Sequence, residues 1–375
     1  MKASVAALVI LAAALAATAA ATAQAPHPAA RTWNAQAAAD YLDGRLAWWL
    51  QWPNAARDHD TSCVSCHTAA PYAIARPALR RVLGQRDAAV PERAMLAGVV
   101  KRVTLWREVE PFYPDQTRGL PKSSESRGTE AVLNALVLAA RDAAAGTLTA
   151  DTREAMAHMW ALQFKAGDLK GAWAWLNFHY EPWESGDGAC YGAALAAVAV
   201  GAAPGGYASS AEIQEQVGAL GEYLRRRVDR ETLFNRATVL WAASRLPALL
   251  TPAQRDAIVD AAVSAQQNDG GWALGTLGAF KRTDGTPLDA VSDGYATGLV
   301  ALALRHSGSA RASAAVTRGL AWLQEHQDPA TGRWRASSLN KQRDPASDAG
   351  KFMSDAATAY AVLALAETDG AISSR

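Results

Sequence analysis

The chain has 375 residues, half of them apolar, and 37 Lys and Arg against 36 Asp and Glu give it a net charge of +1. So even a balance leaves no electrostatic footprint for nucleic acid or an anionic membrane surface, and the length allows one large or two ordinary domains. Thirteen tryptophans and only three cysteines belong to a composition that favours a well-buried helical protein.

Taken in order, the chain opens with Lys2, an apolar run over 5–17 and the small-x-small triplet Ala21-Thr22-Ala23. That is the pattern of a cleaved export signal over 1–23, with a flexible segment at 24–34, and it predicts a periplasmic or secreted protein. The run is short for a membrane span. No later stretch reaches about 18 uninterrupted apolar residues, so no transmembrane span is expected in the mature chain.

From residue 35 to about 370, strand signals are scarce and apolar residues recur at three- and four-residue spacing. Two kinds of helix alternate. Amphipathic helices with charged faces are expected at 35–50, 91–106, 151–164, 210–228, 252–267 and 312–327. Short, nearly uncharged helices rich in Ala, Leu, Val and Gly are expected at 69–83, 129–140, 188–200, 236–246, 294–304 and 356–366. A helix that is apolar all round must be buried on all sides, with its amphipathic partner between it and water. Six such pairs, spaced about 45 to 65 residues apart, predict an all-α fold of six helical hairpins with an inner ring inside an outer ring.

Thr61-Ser62-Cys63-Val64-Ser65-Cys66-His67-Thr68 lies at the start of the first inner helix. C-x-x-C-H is the spacing of c-type haem attachment, in which two thiols a helical turn apart bind one haem edge and the adjacent imidazole becomes an axial ligand. With three Cys and seven His in the chain, chance placement produces it on the order of once in three thousand. A zinc half-site and a Cys63–Cys66 disulfide are the other readings of the same residues. For a haem iron, His67 is the first axial ligand. Met353 and His179 are the candidates for the second, while His59 is too close in sequence to reach the opposite face. Met353 precedes the sixth inner helix, which ring closure would bring beside the first.

The later inner helices open on a repeated Ser/Gly-Asp: Gly186-Asp187, Ser292-Asp293 and Ser354-Asp355. An Asp at such a position is a good N-cap. If the inner-helix N-termini share one mouth, Asp187, Asp293 and Asp355 also line a cavity there, with Trp175 and Tyr180 from the aromatic loop 173–183 folded over it. The run Arg225-Arg226-Arg227 ends an amphipathic helix, where it complements the negative end of the helix.

Gln266-Gln267-Asn268-Asp269-Gly270-Gly271-Trp272, followed by Ser292-Asp293 and an apolar helix, resembles the Q-x-x-x-G-x-W repeat of the terpenoid-cyclase and protein-prenyltransferase toroids. A second copy runs through Gln324-Glu325-His326-Gln327-Asp328 to Gly332-Arg333-Trp334, and Gln163 with Gly171, Ala172 and Trp173 makes a degenerate third. The resemblance implies an (α/α)6 toroid in which Trp272 and Trp334 are scaffold. It does not carry catalytic residues over. The D-x-D-D acid of squalene–hopene cyclases is absent, and Asp289, Asp293 and Asp355 are the only carboxylates placed to serve a cyclase. Asp187-Gly188-Ala189-Cys190 is one residue too long for the D-x-C zinc ligands of the prenyltransferases. The lanthionine cyclases, which bind zinc through C-Y-G and C-H, are similar at Cys190-Tyr191-Gly192 and at Cys66-His67, in reversed order. Export agrees with haem, since c-type maturation follows export in bacteria.

The leading expectation is therefore an exported toroid holding one covalent haem c at Cys63, Cys66 and His67. It would serve electron transfer or oxidoreduction, with a redox partner protein and a hydrophobic small molecule in its cavity. The alternatives are a zinc enzyme using Cys66, His67 and Cys190, a terpenoid-cyclase-like enzyme, and a non-catalytic binding toroid.

Overall fold

A computed structural model describes residues 33–366. The expected signal (1–23), most of the segment 24–34 and the last expected toroid residues, 367–370, lie outside the described residues. Twelve helices alternate between two roles among them. The outer set is α1 (Ala35–Gln51), α3 (Val90–Thr104), α5 (Ala150–Ala161), α7 (Gln214–Arg227), α9 (Pro252–Ser264) and α11 (Ser313–Glu325). The inner set is α2 (Ala69–Leu83), α4 (Ser123–Ala145), α6 (Gly188–Ala202), α8 (Leu233–Ala243), α10 (Gly294–His306) and α12 (Phe352–Ala366).

Each inner helix packs on the next, and α12 packs back on α2, so the inner ring is closed. The fold is all-α, six hairpins arranged as two concentric rings. Composition explains the sorting. Every residue of α12 from Met353 to Leu365 is buried, whereas α7 buries only Leu220, Gly221, Tyr223 and Leu224. Small residues let the inner backbones approach: a Cβ on Gly298 of α10 would stand 2.6 Å from the Ala361 nitrogen of α12.

The repeat residues stitch the rings together. The indole N–H groups of Trp272 and Trp334 donate to the carbonyls of Ala262 and Leu323 at 2.7 Å each, and Trp173 donates to Met159. Gln163, Gln266 and Gln327 each donate both to a loop carbonyl (Gly171, Gly270, Gly332) and to the next outer segment (Gln216, Ala315, Asn34). The Gln327–Asn34 pair closes the outer ring, with Asn34 N–H returning to Gln327 Oε1 at 2.6 Å. Gly332 has φ 73°, and any Cβ there would lie 2.3 Å from the Ala37 backbone. Only glycine suits that crossing.

Three local expectations change. α4 starts at Ser123, six residues ahead of the apolar run, because Gly128 lets its first turns lie against the Ala174 backbone. α8 starts at Leu233, where the Thr232 hydroxyl accepts from the Asn235 N–H. A two-stranded hairpin, β1 (Ala56–Arg57) with β2 (Thr61–Ser62), precedes the Cys–His motif. It is too short for any alternation to show.

Candidate functional site

The hairpin and the first two helices fix the Cys–His segment. Cys63 N–H donates to Ala55 O at 2.8 Å, and Trp49 of α1 donates its indole N–H to Cys63 O at 2.7 Å. Behind β2, the fully buried Arg102 of α3 bonds Glu130 of α4 at 2.5 Å and both Asp58 and Thr61 at 2.9 Å. Ser65, inside the C-x-x-C, accepts from Thr68 N–H at 3.2 Å and Ala69 N–H at 3.1 Å. These bonds fold residues 66–68 into a turn that leads into α2, so the motif lies just ahead of the helix and not within it. Pro71 follows in the first turn, where a missing N–H costs no helical bond.

Cys63 and Cys66 are buried unpaired thiols. Burial pushes the Cys63 thiol up to about 12, and burial with the nearby Glu184 carboxyl raises Cys66 as well. The loop 178–184 carries Glu184 on a bridge in which Tyr180 and Glu184 exchange backbone hydrogen bonds. Burial lifts the Glu184 carboxyl to about 7, opposed by Arg118 and Lys122. Cys63 lines a cavity of about 190 Å³ between the hairpin, α2 and α3.

His67 sits in an aromatic cradle: Phe352 stacks on it at 3.8 Å between centroids, Trp49 meets it edge-on at 4.9 Å, and Trp183 lies 5.9 Å away. Burial, with Arg45 and Arg343 adding to it, drops its pKa to about 3, so the imidazole is neutral at ordinary pH. Its Nδ1 lies 2.8 Å from Thr68 Oγ1, and that hydroxyl donates to Asp355 Oδ2 at 2.7 Å. Asp355 also receives Tyr41 OH at 2.7 Å and Arg45 Nε at 2.8 Å. Burial raises the Asp355 carboxyl and these partners oppose it. Three donors converging on two oxygens is the arrangement of an ionised, acceptor-only carboxylate. The one Thr68 hydroxyl proton is committed to Asp355, so the Thr68 oxygen must accept from His67. The neutral ring therefore carries its proton on Nδ1 and its lone pair on Nε2.

The other expected site residues are dispersed. Met353 is buried in the first turn of α12, but the side chain on the His67 ring is its neighbour Phe352. His179 is exposed at φ 59° in the aromatic loop, and His59, also exposed, pairs with Asp58. Cys190 is buried in α6, where burial and Glu231 raise its thiol. Among the described residues no three His, Cys, Asp or Glu side chains form a metal-holding group, so Cys66, His67 and Cys190 are not assembled as a zinc set.

The three aspartates do not share one role, which corrects the common N-cap expectation. Asp293 does cap α10, accepting from Tyr295 and Ala296 N–H at 2.8 and 3.0 Å, and burial raises its pKa to about 6. Asp187 points outward, makes no capping bond and reaches Arg227 at 4.0 Å. Asp355 lies within α12, which begins at Phe352, and is turned to α1 and α2 by Arg45 and Thr68.

Nor do the inner-helix N-termini open onto a ligand space lined by Trp175 and Tyr180. Trp175 is buried scaffold, its indole N–H on Trp183 O at 2.8 Å and its ring filling the room beside Gly192. Tyr180 is 40% exposed and bonded to Arg118. Between them and the axis, buried aromatic rings fill the mouth. Trp183 lies 5.9 Å from Tyr295 and donates its N–H to that hydroxyl at 2.8 Å. Tyr295 lies 5.2 Å from Tyr360, which lies 6.0 Å from Trp241. With His67 at its head, this column runs through the inner ring. Sequence reasoning missed Thr68, Glu184 and Phe352. Thr68 directly follows the motif and was open to notice; the other two come from distant loops and helix starts.

No protein-family model matches the sequence, and no curated protein matches it. Among solved structures, the apo form of the type II terpene cyclase MstE from Scytonema is similar, with a TM-score of 0.46 at 12% identity over 89% of this chain and 98% of that one.

Proposed function

We propose that the chain is an exported redox protein that would carry one covalent haem, held through the thiols of Cys63 and Cys66 and through His67 Nε2 on the iron. The observation that carries this reading is the His67–Thr68–Asp355 chain. It holds an imidazole that is neutral at ordinary pH, proton on Nδ1 and lone pair on Nε2, the tautomer an iron ligand needs. Two unpaired thiols stand one and four residues before it. The cavity beside Cys63, about 190 Å³, is below the size class of cofactor pockets, so the fit rests on the donor set and not on an enclosed pocket. When bound, such a group supplies one-electron chemistry at a potential set by its ligands and surroundings.

The chain's own work is positioning. Thr68, with Asp355 behind it, fixes the tautomer. Phe352 and Trp49 fix the ring plane, and Arg45 and Tyr41 keep Asp355 ionised. Of the candidates for a further iron ligand, Met353 belongs to the helix turn that touches His67, whereas His179 is exposed in a loop. The partner would be a redox protein. No helix among the described residues is long and apolar enough to cross a membrane.

The test is expression of the full chain with its leader in a host with c-type maturation machinery, then a pyridine haemochrome spectrum after denaturation. Haem retained in the wild type and lost in Cys63→Ser/Cys66→Ser is the expected result. No retained haem, in a strain that matures a control cytochrome, refutes the reading.

A further inference from the structure

The aromatic column closes the N-terminal mouth of the ring, but the opposite mouth is open. Where the inner helices end, a cavity of about 400 Å³ is bounded by residues of α2, α4, α6, α8 and α12, together with Arg245 just beyond α8. That volume is in the range of small-molecule sites. Its deeper wall is apolar: Leu136, Val198, Leu363 and the ring of Trp241, the last member of the column, are buried. Trp241 is 2% exposed, and its indole N–H is buried without a hydrogen-bond partner among the described residues. The outer wall carries Arg81 in the last turn of α2 and Arg245, both exposed, and no Asp or Glu contributes to the lining.

We propose that this C-terminal mouth binds an amphiphilic carboxylate, its apolar body against Leu136, Val198, Leu363 and Trp241 and its carboxylate at Arg81 and Arg245. The two guanidinium groups select the charge of the head. They offset part of the partial negative charge that converging helix C-termini bring to the same rim, which disfavours an anion at a bare mouth. The alanines that line the passage, among them Ala78, Ala140 and Ala202, leave it wide enough for an unbranched chain. The site is separate from the Cys63–Cys66–His67 corner and does not rest on the haem reading.

The experiment is isothermal titration of the full chain with decanoate below its micellar concentration, beside 1-decanol as the uncharged isostere. Saturable 1:1 binding of decanoate is expected, with decanol at least about tenfold weaker, the value of one charge-assisted hydrogen-bonded contact. Arg81→Gln should weaken decanoate about tenfold and leave decanol unchanged. Ala140→Phe, which fills a half-buried wall position, should abolish binding of both while the thermal unfolding midpoint stays within the error of wild type. Absence of saturable decanoate binding overturns the proposal, as does equal affinity for decanol. Wild-type affinity in a folded Ala140→Phe chain overturns it too.

Discussion

Thr68→Val isolates the hydrogen bonds on which the His67 argument depends. Valine matches threonine in shape but has no hydroxyl, so the 2.8 Å contact to His67 Nδ1 and the 2.7 Å bond to Asp355 both vanish at a position 3% exposed. The bond to a carboxylate is worth about 1.5–3 kcal/mol, and a buried Nδ1–H left without an acceptor costs about 1–3 kcal/mol. Asp355 keeps Arg45 and Tyr41, so its charge stays paired and the loss falls short of the sum. We expect about 3 kcal/mol from urea unfolding of the unloaded chain, with Thr68→Ser restoring most of it. The imidazole should respond too. Nitrogen NMR on the wild type should show the Nδ1–H tautomer of His67 and no protonation down to about pH 4, given a pKa near 3. In Thr68→Val the tautomers should mix. An unfolding free energy within about 0.5 kcal/mol of wild type, together with an unchanged tautomer, would refute the assignment of the Thr68 proton and the positioning role built on it.

Glu184 gives a pH dependence of definite sign. Its folded pKa is raised by burial to about 7, above its ordinary 4.5, so the folded state holds more protons between those values and stability falls as pH rises through that window. Glu184→Gln should flatten this slope in urea melts from pH 4.5 to 7; a slope unchanged by the substitution counts against a buried carboxyl beside the thiols. Phe352→Ala removes the ring stacked on His67 and admits water, so the His67 pKa should move up from about 3 towards the ordinary 6.5, read by proton NMR titration. The glycines offer a matched pair. Gly84→Ala, at φ 63° with open space around it, should cost about 1 kcal/mol. Gly332→Ala must also displace the Ala37 backbone and should cost at least about 3 kcal/mol, with thermal melts as the measure. Equal costs would contradict the close crossing that closes the outer ring.

Much of the fold was legible because burial leaves its mark on composition along each helix. Helices that must be dry on all sides, such as α6 and α12, have almost no charge, and their partners do, so the alternation could be read residue by residue. The Q-x-x-x-G-x-W residues were legible for a related reason: Gln266, Gly270 and Trp272 act within one connection, at fixed short distances. The aspartates before the inner helices mark the limit of this reading. Three similar dipeptides lead to a true cap at Asp293, an outward ion pair at Asp187 and a buried junction at Asp355. Which of these an Asp becomes depends on whether a neighbouring element presents a free N–H, a half-buried Arg227 or a buried Arg45, and that neighbour is not a local matter.

The same division holds for the candidate site. Sequence alone placed two thiols and an imidazole within five residues, just ahead of an inner helix, because covalent spacing acts over a few residues. It also determined that twelve helices alternate between dry and wet. Only the tertiary structure decided which nitrogen of His67 carries the proton, since that follows from Asp355, 288 residues away in the chain and brought to Thr68 by ring closure. It likewise decided that rings from a loop, α10 and α12 stack behind one mouth, while Trp241 of α8 ends the column at an open cavity in the other. Hydrogen-bond direction and free volume are properties of surfaces meeting in space, and no residue carries them by itself.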